Sequence, residues 1–199
     1  MIEVEIKVRI SDPELMRKKF EETGGSYQFS LLHEDTYFNM PNGLRNFELT
    51  DEALRLRKSV EFKPNNGEKN RKINYYLTYK GKKLDNSTKT REEIDLSIES
   101  LEKMREILGI LGFQEVLTVK KERELYNFEF KDYKILALID FLPILNQYFV
   151  EVEYLTDSKD QIEVSQEVLF DFLLNFEIQK EDSIKKSYLE LVINKMNEV

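Results

Sequence analysis

Apolar and polar side chains alternate with a period of two along most of the chain, and such alternation marks strands with one buried and one polar face. Eight segments show it, near residues 2–10, 28–39, 53–60, 73–80, 90–98, 116–130, 133–141 and 147–155. In the first, Val4, Ile6, Val8 and Ile10 point one way while Glu3, Glu5, Lys7 and Arg9 point the other. Helical periodicity intervenes at four places. Ser11-Asp12-Pro13-Glu14 is a capping-box start with proline in the first turn, and that helix is expected to end at Gly24-Gly25. A second begins at Ser100, carries Leu101, Met104, Leu108 and Leu111 on one face and stops at Gly112. The third shows Val168, Leu169, Phe172, Leu173 and Phe176 as an amphipathic stripe, and a fourth from Ser183 closes the chain. Lys63–Lys72 and Lys82–Lys89 read as exposed connections. No linker, repeat or low-complexity tract divides the sequence, so residues 1–199 are expected to form a single α+β domain.

Composition narrows the chemistry. The chain has no cysteine and one histidine, His33, which excludes disulfides, thiolate metal sites and His-rich zinc sites. Any metal must be held mainly by oxygen. His33 itself reads as an ordinary strand residue beside Glu34 and receives no role. Thirty basic against 38 acidic side chains give a net charge of −8, which argues against blanket nucleic-acid binding. The first ten residues carry alternating charges where a signal peptide would be apolar, and no run approaches the ~18 apolar residues of a membrane span. A reducing cytoplasm is the expected location.

The second face of the strands carries the information. Phe149-Val150-Glu151-Val152-Glu153 repeats the paired carboxylates of Glu3 and Glu5, and Asp140 lies one strand earlier. Arg55-Leu56-Arg57, Thr78-Tyr79-Lys80 and Lys121-Glu122-Arg123 present bases in the same alternation, and Arg91, Glu93 and Asp95 share a face. Two arrangements produce this pattern. In one, an open sheet turns its charges to water and gains ~0.2–1 kcal/mol per cross-strand ion pair. In the other, eight antiparallel strands close into a barrel with the charged face inward, and the amphipathic helices cover the apolar outside. A charged interior costs several kcal/mol per unpaired ion unless something neutralises it. A polyphosphate with a divalent cation would satisfy bases and acids together, because carboxylates are hard ligands for Mg²⁺ or Mn²⁺ and arginine forks match phosphate oxygens.

These residues resemble the CYTH or triphosphate tunnel metalloenzyme superfamily almost end to end. Glu3-Val4-Glu5-Ile6-Lys7 is similar to its E-x-E-x-K signature, Asp35-Thr36-Tyr37-Phe38 to D-x-Y-F, Leu54–Arg57 to L-R-[LI]-R and Thr78-Tyr79-Lys80-Gly81 to T-[YW]-K-G. Arg91–Asp95, Leu111-Gly112-Phe113, Lys121-x-Arg123, Asp140, Glu151-x-Glu153 and Lys186-Ser187-Tyr188 follow in the family's order. Two departures stand out: Leu145-Asn146 replaces a leucine-glycine turn, and Asn39 stands where an aspartate often closes D-x-Y-F-D.

The resemblance implies an eight-stranded antiparallel tunnel that holds a triphosphate and Mg²⁺ or Mn²⁺. By position it makes Glu3, Glu5, Asp140, Glu151 and Glu153 metal ligands, directly or through water. Lys7, Arg55, Arg57, Lys80, Lys121, Arg123 and Lys186 become phosphate contacts, and Glu5, Glu93, Asp95 and Lys121 the candidate catalytic set. The implied activity is metal-dependent triphosphate hydrolysis, inorganic tripolyphosphate favoured. The rivals are class IV adenylate cyclase, thiamine triphosphatase and a non-catalytic polyphosphate or nucleotide receptor. A homodimer through an outer barrel face or a helix is a further expectation.

Overall fold

A computed structural model describes residues 2–63, 71–84 and 88–198. Eight strands lie in it: β1 (Ile2–Ile10), β2 (Ser26–Asn39), β3 (Ala53–Phe62), β4 (Lys72–Lys80), β5 (Arg91–Ile98), β6 (Gln114–Phe130), β7 (Tyr133–Leu142) and β8 (Gln147–Thr156). They close into a barrel in the order β1-β5-β4-β3-β2-β6-β7-β8. Every neighbouring pair is antiparallel. The helices are α1 (Pro13–Glu22), α2 (Phe47–Thr50), α3 (Leu101–Ile110), α4 (Ile162–Leu174) and α5 (Tyr188–Asn197). Most of the expected connection at Lys63–Lys72 lies outside the described residues. None of the described helices is long and apolar enough to cross a membrane.

Closure selects the inward-charged arrangement over the open sheet. Val4, Ile6, Val8 and Ile10 face outward and join Tyr126, Phe128, Ile135, Ile139, Val150 and Val152 under α1 and α4. Phe20 of α1 is wholly buried there, edge to face with Tyr126, Phe128 and Phe176 at centroid distances of 5.2, 5.3 and 5.0 Å. Such pairs add ~0.5–1.5 kcal/mol each beyond the area they bury. Leu108 of α3 covers Leu54 and Leu56 of β3. On α5, Tyr188 and Val192 pack instead with Tyr37, Val119, Leu142 and Phe149, whose strand positions alternate with the outer face. This last helix therefore seals interior apolar residues toward one end of the barrel.

Local signals account for most boundaries, with three shifts. Asp12, not Ser11, caps α1, its carboxylate accepting from Leu15 N–H at 2.9 Å. The chain after Ser183 does not enter a helix at once: Ser183 bridges to Val8 and Ile184 N–H donates to the Lys7 carbonyl at 2.7 Å. The helix then begins at Tyr188 under a capping box of Ser187 and Glu190. The short α2 was not foreseen, since four residues are too few to show a period. Asn146 takes the left-handed conformation expected of the turn before β8, with φ 47°. Asn39 braces the segment before α2, its side-chain oxygen accepting from Met40 and Phe47 N–H groups.

Candidate active site

Because successive side chains alternate, closure brings one set of each strand's residues into the lumen. Glu3 and Glu5 of β1, Glu93 and Asp95 of β5, and Glu151 and Glu153 of β8 occupy adjoining strands, so acids form one arc of the wall. Arg55 and Arg57 of β3, Lys80 of β4, and Lys121 and Arg123 of β6 form the other. Between them lies a cavity of ≈ 550 Å³, whose mouth is rimmed by Phe47, Asp51, Glu52, Lys186 and Glu190. Lys186 stands exposed at that rim.

Glu3, Glu5 and Glu153 bring one carboxylate oxygen each to within 4.8 Å of one another. Burial pushes the carboxyl of Glu5 up to about 7, with the Glu151 charge adding to the effect. Burial also raises Glu3, partly opposed by Lys80, and raises Glu153 well above the ordinary range, with Glu3 contributing. Three converging hard-oxygen donors, each disfavoured as a lone anion, fit a divalent cation. The other two expected metal ligands stand elsewhere. Asp140 is wholly buried and its two oxygens are taken by Arg123 Nε and Nη2, both at 2.6 Å, with Tyr188 Oη donating at 2.7 Å. Glu151 accepts from Arg123 and has Lys89 3.3 Å and Lys7 3.6 Å away. Burial opposes its charge, but Lys89, Arg123, Lys121 and Lys7 outweigh it and hold Glu151 well below the usual range. The two carboxylates of Glu151-x-Glu153 thus differ: Glu151 is held by several bases, while Glu153 joins the acid trio with Arg123 3.6 Å away.

The basic wall is itself held in place. Arg57, which lines the cavity, makes two parallel hydrogen bonds to buried Asp35, at 2.6 and 2.7 Å. Arg55 donates to Thr78 Oγ1 at 3.0 Å, and Thr78 donates to Asp95 at 2.5 Å. Lys80 pairs with Glu93 and lies 3.7 Å from Glu3. Lys121 lies 3.6 Å from Asp140, and burial with the neighbouring Arg123 brings it down to about 8. Lys7 does not border the cavity. It is fully buried inside the barrel, off the cavity lining, with its ammonium 3.9 Å from the Tyr188 ring centroid, and burial followed by Lys89 lowers it well below the ordinary lysine value. Arg91 points to the rim, where it donates to the Asp51 carboxylate at 2.9 Å and to the Asp51 and Gly81 carbonyls at 2.7 and 2.9 Å. His33 is buried inside the barrel, its Nε2 3.1 Å from Ser59 Oγ.

Three participants received no site role from the sequence, two of them named only as motif members. Asp35 orients Arg57, and Tyr188 supplies a ring near Lys7, Lys121 and Lys89. Lys89 falls in the stretch read as an exposed connection, yet it lies in the cavity beside Glu5 and Glu151, between buried Thr88 and Thr90. Extending the inward parity of Arg91, Glu93 and Asp95 back by two residues would have found it.

The chain matches the CYTH domain over residues 1–188. It is 38% identical over 191 residues, 96% of this chain and 98% of the other, to the protein named putative adenylate cyclase MJ0240 from Methanocaldococcus jannaschii. Among solved structures, the PH1819 protein of Pyrococcus horikoshii superposes with a TM-score of 0.82 at 36% identity, covering 97% of this chain and 99% of that one. A Hippeastrum protein, HpAC1, described as a putative adenylyl cyclase with a dominant triphosphatase activity, shares the fold at 14% identity. Its TM-score is 0.59, over 98% of this chain and 95% of its own.

Proposed function

We propose, from the premise that this chain belongs to the CYTH domain family, whose enzymes in general act on triphosphates with metal, that it hydrolyses a triphosphate with a divalent cation, inorganic tripolyphosphate in preference. The observation that carries this is the division of one cavity into an acid arc with Glu3, Glu5 and Glu153 gathered, and a facing arc of arginines and lysines. Glu3, Glu5 and Glu153 would hold Mg²⁺ or Mn²⁺, which supplies polarisation of phosphoryl oxygens.

The chain's own side chains divide the remaining work. Arg55, Arg57, Lys121 and Arg123 grip phosphate oxygens, Arg57 and Arg123 in orientations set by Asp35 and Asp140, and such preorganised charge needs no rearrangement as phosphoryl charge develops. Lys80 binds alongside them with Glu93 fixing its ammonium, and Asp95 orients water or Thr78 on the same wall. Lys186 meets the anion at the rim. Lys7 and Asp140, inside the barrel but off the cavity lining, act through neighbours, Lys7 on Glu151 and Asp140 on Arg123.

Cyclisation of ATP is the second reading, favoured by the name of the 38% identical relative. On the same fold the Hippeastrum protein is described with dominant triphosphatase activity, so hydrolysis is compatible with this architecture. Purified protein offered tripolyphosphate, ATP and thiamine triphosphate with Mg²⁺, Mn²⁺ or EDTA separates these readings. Metal-dependent phosphate release from tripolyphosphate supports hydrolysis. Cyclic AMP with pyrophosphate from ATP reverses the order, and binding without turnover on every substrate leaves a receptor.

A further inference from the structure

Lys89 enters the lumen on a backbone that continues the pairing of β5 with β1. Its N–H donates to the Glu5 carbonyl at 3.1 Å, two residues before the Arg91–Glu3 pair. The ammonium hydrogen-bonds the Glu5 carboxylate and lies 3.3 Å from Glu151 Oε1, with the side chain only 10% exposed. Glu5 belongs to the trio that fits a cation, and Glu151 to the carboxylates held by bases. Lys89 therefore links the carboxylates gathered for a cation with the one the bases hold.

We propose that Lys89 is a tethered cation that occupies the Glu5 carboxylate until a divalent ion claims it, and then serves the bound anion, so that metal and anion binding assist each other. The identity of the anion as a triphosphate rests on the proposed function; the competition at Glu5 does not. An ammonium and a divalent ion on one buried carboxylate repel strongly at such separations. Metal binding must therefore displace Lys89. The displaced ammonium lies in an enclosed space shared with the ammonium of Lys7 near the Tyr188 ring, so it is costly to leave without a counter-charge. An anion in the cavity supplies that charge. By linkage, whatever tightens the anion when metal is bound tightens the metal equally when the anion is bound.

The test is Mn²⁺ titration of the metal-free full-length protein, followed by electron paramagnetic resonance, with and without tripolyphosphate, in wild type and Lys89→Met. Without anion, Lys89→Met is expected to bind Mn²⁺ about tenfold more tightly, within the range of ordinary coupling. The factor by which tripolyphosphate tightens Mn²⁺ should shrink at least fivefold. Equal or weaker Mn²⁺ affinity in the variant without anion overturns the competition, and an undiminished tripolyphosphate factor overturns the coupling. Should the variant fail to fold, lysine-selective ¹⁵N NMR of the wild type decides: the Lys89 ammonium resonance must shift when Mg²⁺ is added before any anion, and a fixed resonance overturns the proposal. If Lys89→Met shows the tightened Mn²⁺ binding while the wild-type protein cleaves no triphosphate, the hydrolase reading falls and this one stands.

Discussion

Glu5 and Glu153 face each other directly across the antiparallel register of β1 and β8. Like charges so placed destabilise a sheet, and here both side chains are turned into an enclosed lumen. The pair persists in the fold at a cost that a proton or a cation removes, and this relationship ties stability to both.

The carboxyl of Glu5, raised from 4.5 to about 7, gives that cost a direction. Folded chains keep its proton where unfolded chains have released it. The stability it contributes is present below pH 4.5 and is lost as pH rises to about 7, roughly 3 kcal/mol in all. In EDTA the wild-type Tm should fall from pH 5 to pH 7.5 by roughly 5–10 °C relative to Glu5→Gln, since about 2.4 kcal/mol of that stability is lost across this window at about 2–4 °C per kcal/mol for a chain of this size. Mg²⁺ should restore it above pH 7. A constant difference between the two proteins across this window would refute the assignment. The same variant is expected to lose metal-dependent turnover while remaining folded.

Lys121, brought down to about 8 by burial and Arg123, should make anion binding pH-dependent from the other wall. It carries its charge below pH 8 and loses it above. If the bound anion needs that charge, tripolyphosphate affinity at pH 9 should be about tenfold weaker than at pH 7. Lys121→Arg, whose guanidinium stays charged throughout, should flatten the profile when both are measured by calorimetry. Parallel profiles would remove Lys121 from the phosphate contacts.

Asp140 is wholly buried and is the bidentate partner of Arg123. Asp140→Asn takes away the charge and turns donors toward a guanidinium, leaving it to Glu151 and Glu153. Urea unfolding should show a loss of about 3–5 kcal/mol, the usual effect of breaking one side of a buried pair. A loss below 1 kcal/mol would mean that Asp140 does not hold the basic wall.

Gly25, at the junction of α1 and β2, tests the outer packing independently of the site. A Cβ there would meet the Phe128 ring and lie 2.7 Å from the Phe20 carbonyl oxygen. Gly25→Ala should cost about 1–3 kcal/mol in chemical denaturation through overpacking, with metal affinity unchanged.

The sequence by itself determined the strands and their two faces. Alternation is local, so Val4, Ile6 and Val8 against Glu3, Glu5 and Lys7 could be sorted without knowing any partner, and the eight alternating segments coincide closely with β1 to β8. Most strand-borne bases and acids of the cavity were legible for the same reason, whereas Asp35 and Lys89 were not. Alternation does not say which residue stands opposite which. Arg123 meets Asp140, Arg57 meets Asp35 and Glu5 meets Glu153 only because of register between strands, some of them far apart in the chain. Barrel closure then decided that the charged face is the inside, buried Lys7 within the barrel away from the cavity, and drew Lys89 from an apparent loop onto Glu5. Asp140 and Glu151 likewise took arginine and lysine partners from elsewhere in the chain. Burial magnifies each such contact, since charges inside a closed barrel have few partners other than one another, and that enclosure is a property of the tertiary structure alone.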